Sequence, residues 1–173
     1  VGFGSIGKAI GLRAKAFGMK ISYYDPFFNE EISSLDEFQK VDFQELCNYS
    51  DFLVLACSLT KENRHMINKT SLSLMKKNSF LINVSRGSLI KEIDLIKALK
   101  DKKIKGVGLD VFENEPLPIN SELLSFENTI FGSHNSSNTI EAVERVNNMT
   151  IEMVIELNSK KDYLDKHKDK MIL

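Results

Sequence analysis

The chain has 173 residues, of which 42% are hydrophobic and 27% charged, and a formal net charge of −1. This is ordinary composition for one globular domain, and the near-zero charge leaves no basic face to draw nucleic acid or anionic lipid. Two cysteines and three histidines lack any zinc-type spacing or disulfide framework, and no apolar run reaches the length of a membrane span, so a cytoplasmic protein without metal is expected.

Gly2, Gly4 and Gly7 spell G-x-G-x-x-G at the start of the chain. A helical stripe of Ile6, Ala9, Ile10, Ala14 and Phe17 follows, and Gly18 is placed to stop it. Lys20 to Tyr24 reads as a strand that ends in Asp25, eighteen residues after Gly7. Turn, helix, strand and acid in this order suit a dinucleotide. The first Gly makes the tight turn, the second admits the pyrophosphate, and the third lets helix and strand pack closely. Asp25 would accept hydrogen bonds from the adenine-ribose hydroxyls and repel a 2′-phosphate, which favours NAD over NADP. In this fold the glycine loop follows a strand, yet only Val1 precedes Gly2, so the sequence reads as a fragment cut at the end of its first strand. The absent strand is expected between those at Ile21 and Phe52.

Asn29 to Lys40 reads as a loop with a short helical turn, and Asp42 to Tyr49 as a short helix capped by Asp42. Phe52 to Cys57 and Ser79 to Val84 are continuous apolar runs, as parallel strands covered on both faces should be. Helices are expected over Asn68–Lys77 and Lys91–Lys100, the latter with Ile93, Ile96 and Leu99 on its buried face. Ile104–Leu109 and Asn128–Phe131 complete the strands, and Asn138–Leu157 forms a long amphipathic helix. Strand and helix alternate throughout, which gives an α/β doubly wound parallel sheet of Rossmann type. Residues 1–158 are read as this domain and 159–173 as a charged tail.

Ligands of such sheets bind beyond the C-terminal strand ends. The residues there are Cys57 and Ser58, Ser85 and Arg86, Asp110, and Ser133 and His134. Arg86 precedes a Gly that fixes its turn, and a guanidinium beside a nicotinamide is a natural partner for a substrate carboxylate. Hydride transfer between an alcohol and NAD moves one proton, and His134 is the histidine placed for it. His65 lies in a loop approaching a helix, and His167 in the tail. Glu115 is a candidate to pair with the imidazole and hold it protonated.

With these residues in view, Val1 to about Val143 resembles the nicotinamide domain of the D-isomer-specific 2-hydroxyacid dehydrogenases. The matching stretches are VGFGSIG, AFGMKISYYDP, LTKENRHMINKTSLSLMKKNSFLINVSRGSLI, GVGLDVFENEPLP and SHNSSNTIEA. The resemblance implies that Arg86 binds and polarises the substrate, that His134 is the acid/base, and that Glu115 supports it. It implies cofactor contacts from Gly4, Ser5 and Ile6 at the pyrophosphate, Asp25 at the ribose, and Asp110 at the carboxamide. Cys57, Ser58, Val84, Ser85, Arg86 and His134 complete that contact set. The protein implied is an NAD-dependent oxidoreductase acting on a D-2-hydroxy acid or 2-keto acid, a homodimer whose substrate domain lies outside this chain. Relatives of the same fold that act as NADH-sensing corepressors, or as formate or phosphite dehydrogenases, are the alternatives. Ser58 and Ser133 stand where the family usually has proline, and Asn135-Ser136 replaces an apolar-Gly pair, so a more mobile His134 loop and an unusual substrate preference are expected.

Overall fold

A computed structural model describes residues 1–28 and 38–159. Most of the loop expected from Asn29, and all but Ser159 of the expected tail, lie outside the described residues. The elements run α1 (Ser5–Ala16), β1 (Ser22–Tyr23), β2 (Gln39–Lys40), α2 (Phe43–Tyr49), β3 (Phe52–Leu55), α3 (Lys69–Leu74) and β4 (Phe80–Asn83). Then come α4 (Glu92–Lys100), β5 (Gly106–Leu109), β6 (Thr129–Phe131) and α5 (Ile140–Ser159). Val1–His134 form one compact unit, and a second begins at Asn135.

Four strands pair in the order β3-β4-β5-β6, all parallel, and β1 pairs with β2 in a separate parallel ladder. Alternation of strand and helix therefore produced the expected parallel α/β sheet. Leu55, Asn83, Leu109 and Phe131 are lateral partners across the four strands. That row marks the C-terminal edge, and every strand-end residue singled out from the sequence lies one to three positions beyond it. Leu53, Leu55, Leu72, Leu81, Leu89, Leu95 and Leu123 are fully buried around this sheet.

Val1 and Gly2 link the two ladders. The Val1 nitrogen donates to the Val54 carbonyl at 2.7 Å, the Ala56 N–H donates to the Val1 carbonyl at 2.8 Å, and the Gly2 N–H to the Tyr24 carbonyl at 2.9 Å. Behind them a cavity of about 810 Å³ separates β1 from β3, lined by Ile10, Gly11, Ala14, Ile21, Leu53 and Val54 among others. It occupies the position where the sequence reading placed a further strand.

Three expectations are corrected. The face of α1 turned to this cavity is Gly7, Ile10, Gly11 and Ala14, whereas Ile6 and Phe17 are exposed. In α4 the buried residues are Leu95, Ile96, Ala98 and Leu99, and Ile93 is exposed. Gln39–Lys40, read as loop, is strand β2. Within the second unit, α5 is capped by Thr139, whose hydroxyl accepts from the Ala142 N–H at 3.2 Å.

Candidate active site

The glycine loop is held from beneath by Phe3, buried between Gly2 and Gly4. Its ring stacks on Tyr23 at 4.0 Å and meets Phe28 and Phe38 edge-on. The loop needs glycine where the chain comes closest to itself. Gly2 has φ +82°, and a Cβ there would lie 2.7 Å from Cys57; a Cβ on Gly7 would lie 2.1 Å from the Gly2 carbonyl oxygen. Gly4 differs: a Cβ there would meet nothing within 4 Å. No side chain caps the N-terminus of α1 and no acid sits in its first turn. Open space before uncapped N–H groups at the positive end of a helix fits a pyrophosphate. The exposed Ser5 and Ile6 flank that space.

Asp25 follows β1. Its carboxylate accepts the Phe3 N–H at 2.7 Å on one oxygen and the Phe27 N–H at 2.9 Å on the other. Each oxygen keeps a second lone pair for a ribose hydroxyl. After β3, the Ser85 hydroxyl donates to the Cys57 carbonyl. Asn63, which the sequence reading passed over, ties the same loop: its amide accepts the Thr60 N–H at 2.7 Å and donates to the Ser58 carbonyl at 2.7 Å. Burial pushes the Cys57 thiol up, so at neutral pH it stays a neutral thiol.

After β4, the fully buried Asn83 shapes the Val84–Arg86 turn. Its side chain accepts the Ser85 N–H and donates to the Arg86 carbonyl, each at 3.0 Å. Arg86 is exposed, and its Nη1 donates to the Ser85 carbonyl at 2.8 Å. After β5, the carbonyl of the buried Asp110 accepts the His134 N–H at 2.8 Å. His134, three residues past β6, has φ +57°, a left-handed backbone uncommon for a non-glycine residue. Its Nδ1 lies 2.8 Å from Glu115 Oε2, while Glu115 Oε1 accepts the Phe112 N–H at 2.9 Å. The hydrogen bond from His134 holds the Glu115 carboxyl below its usual range, aided by Phe112 and, least, by the field of Arg86. A carboxylate only accepts, so the shared hydrogen sits on Nδ1 and leaves Nε2 available to a ligand. Strained backbone braced by neighbours in this way is a frequent mark of a functional residue.

The structure thus brings Glu115 and His134 together, with Arg86 in electrostatic reach, and sets Asp110 beneath them. Gly4, Ser5, Ile6 and Asp25 gather at the glycine loop, and Cys57, Ser58, Val84 and Ser85 on the turns between. Among the described residues, no group of three or more His, Cys, Asp or Glu side chains is arranged to hold a metal, and no helix is long and apolar enough to cross a membrane.

Residues 1–136 match the family described as D-isomer specific 2-hydroxyacid dehydrogenase, NAD binding domain. The chain belongs to this family. It is 46% identical over 148 residues to a glyoxylate reductase of Thermococcus litoralis, a match covering 83% of this chain and 43% of that protein. It is 41% identical over 155 residues to a D-3-phosphoglycerate dehydrogenase of Methanocaldococcus jannaschii, covering 89% of this chain and 29% of the relative. Among solved structures, D-lactate dehydrogenase with NAD+ from Lactobacillus jensenii superposes with a TM-score of 0.83 at 27% identity, over 92% of this chain and 52% of that one. The chain therefore spans between 29% and 52% of the length of these three relatives, and the family assigns it a Rossmann-type domain whose cofactor is NAD.

Proposed function

We propose that this chain is the cofactor half of an NAD-dependent reductase of small 2-keto acids, of which glyoxylate is the simplest candidate. The observation that carries the reading is the His134–Glu115 pair, with the exposed Arg86 close enough for its charge to act on Glu115. Glyoxylate is favoured because relatives 46% and 45% identical to this chain are named glyoxylate reductase.

The open space at Gly4, the uncapped start of α1 and the spare lone pairs of Asp25 fit a dinucleotide. Ser5 and Ile6 would hold its pyrophosphate, Asp25 its ribose, and Asp110 its carboxamide. Once bound, NADH supplies the hydride that reduces the keto carbon. Arg86 holds the substrate carboxylate by a two-pronged guanidinium contact and draws electron density from the carbonyl. His134 gives the proton from Nε2 to the carbonyl oxygen as it becomes an alcohol, and Glu115 steadies the imidazolium before that transfer. In the reverse direction His134 takes the proton back.

The test is a chimera in which residues 1–136 replace the matching stretch of the Thermococcus litoralis protein, assayed with NADH and glyoxylate. His134→Ala should lower its turnover by a factor on the order of 10² to 10⁴ and leave NADH binding nearly intact. Near-normal turnover of His134→Ala across the pH range would sink the reading, as would a chimera that binds NADH yet reduces no 2-keto acid.

A further inference from the structure

A second histidine–carboxylate pair lies two residues from the first along the same loop. His65 Nε2 stands 2.5 Å from Glu113 Oε1, and both side chains are largely buried, 31% and 21% exposed. The other Glu113 oxygen accepts the Glu92 N–H at 2.8 Å, and the Glu113 N–H donates to Glu92 Oε2 at 3.4 Å. Three segments meet here: the approach to α3, the start of α4, and the loop after β5. Burial pushes the Glu92 carboxyl up, and the Glu113 charge adds to that, as expected of carboxylates gathered away from water. His65 itself has φ +55°, a left-handed backbone like that of His134. It is braced on both sides: its N–H donates to the Ser88 carbonyl at 2.9 Å, and its carbonyl accepts from Asn68 Nδ2 at 3.0 Å.

A strained residue held this firmly is over-determined by its surroundings. The consequence reaches Glu115. Phe112, whose N–H anchors the Glu115 carboxylate, precedes Glu113, and only Asn114 separates Glu113 from Glu115. With Glu113 pinned from one side by His65 and from the other by Glu92, the intervening backbone has little freedom left.

We propose that His65 and Glu113 are positioning residues that clamp the Phe112–Glu115 loop and so set the carboxylate of Glu115 against His134. The inference rests on the role proposed above for Glu115 and His134, but its test needs no substrate. The titration of Glu115 is followed by carbon-13 NMR of the side-chain carboxyls in the full chain, with a thermal melt in parallel. In the unaltered chain Glu115 should titrate below 4.5. His65→Asn suits the left-handed backbone but is too short to reach Glu113. It should return at least half of the Glu115 displacement and move the Phe112 and His134 amide signals. His65→Gln restores the Nε2 donor without a positive charge and should bring Glu115 back down. An effect of lost charge alone would persist in His65→Gln and would overturn the clamp.

A His65→Asn chain that melts lower while Glu115 titrates as before would reduce the pair to a purely structural role. Loss of cooperative folding in His65→Asn would do the same. If Glu115 titrates at its ordinary value in the unaltered chain, the Glu115–His134 reading fails together with the clamp. If it titrates low there and His65→Asn leaves it low, the clamp alone fails.

Discussion

Both Asp25 oxygens already accept a backbone N–H from the loop the residue serves. Those bonds fix the carboxylate before any ligand arrives, so in the ribose-binding role proposed for Asp25 its negative charge would meet an adenosine 2′-substituent. The following residues, Pro26, Phe27 and Phe28, supply no cation to offset a phosphate there. The chain should prefer NAD to NADP by at least about tenfold, or roughly 1.4 kcal/mol, and Asp25→Ala should narrow the gap. Equal affinities of the unaltered chain by calorimetry would refute this. At Glu115 the direction of the shift fixes the sign of a pH effect. Its carboxyl is depressed in the folded state, so its stabilising contribution is present above the unfolded value and is lost as pH falls through the folded one. The melting difference between the unaltered chain and Glu115→Gln should therefore be largest at neutral pH and shrink below about 4.5. A difference that stays constant from pH 7 to pH 3 would contradict the assignment.

Among the elements, β4 shows how a buried polar residue turns a strand end into a site. Asn83 is fully buried, sits in register with Leu55 and Leu109, and spends its side chain on the turn that carries Arg86. Asn83→Leu keeps the branched outline and orphans the Ser85 N–H, so it should cost about 1–3 kcal/mol, read as a fall in the denaturant midpoint. An unchanged midpoint would show that water satisfies those groups. The strand itself was plain in the sequence, because a strand covered on both faces is a run of apolar residues and SFLINV is such a run. The Asn inside that run was legible only as an oddity, since its partners lie around a turn that no period describes. Spacing misled in α4 for a geometric reason. Steps of three residues drift by about 60° per step around a helix with 3.6 residues per turn, so Ile93 slips off the face that Leu95, Ile96, Ala98 and Leu99 bury. Gln39–Lys40 carries no apolar signal, and its pairing with Ser22–Tyr23 is set by the aromatic cluster of Phe3, Tyr23 and Phe38 beside it. His65 and Glu113 are 48 residues apart, and nothing local in either segment names the other. The strand-end residues, by contrast, could be found from order alone, because in a parallel sheet every strand ends on one edge.

At the scale of the whole molecule, the cavity between β1 and β3 bears most directly on stability. It places the flank of α1 and the facing edges of two ladders around open space. A five-residue Val/Ile extension fused ahead of Val1 would lay a strand into the cavity. Each buried apolar side chain contributes about 1.5–3 kcal/mol, against roughly 1–2 kcal/mol for ordering each backbone residue. The net gain should be on the order of 3 kcal/mol, or roughly 6–12 °C in melting midpoint for a chain of this size. A proline in the middle of the extension removes a ladder donor and should abolish most of the gain. Equal midpoints for the apolar and the proline-broken extensions would show that the cavity does not take a strand.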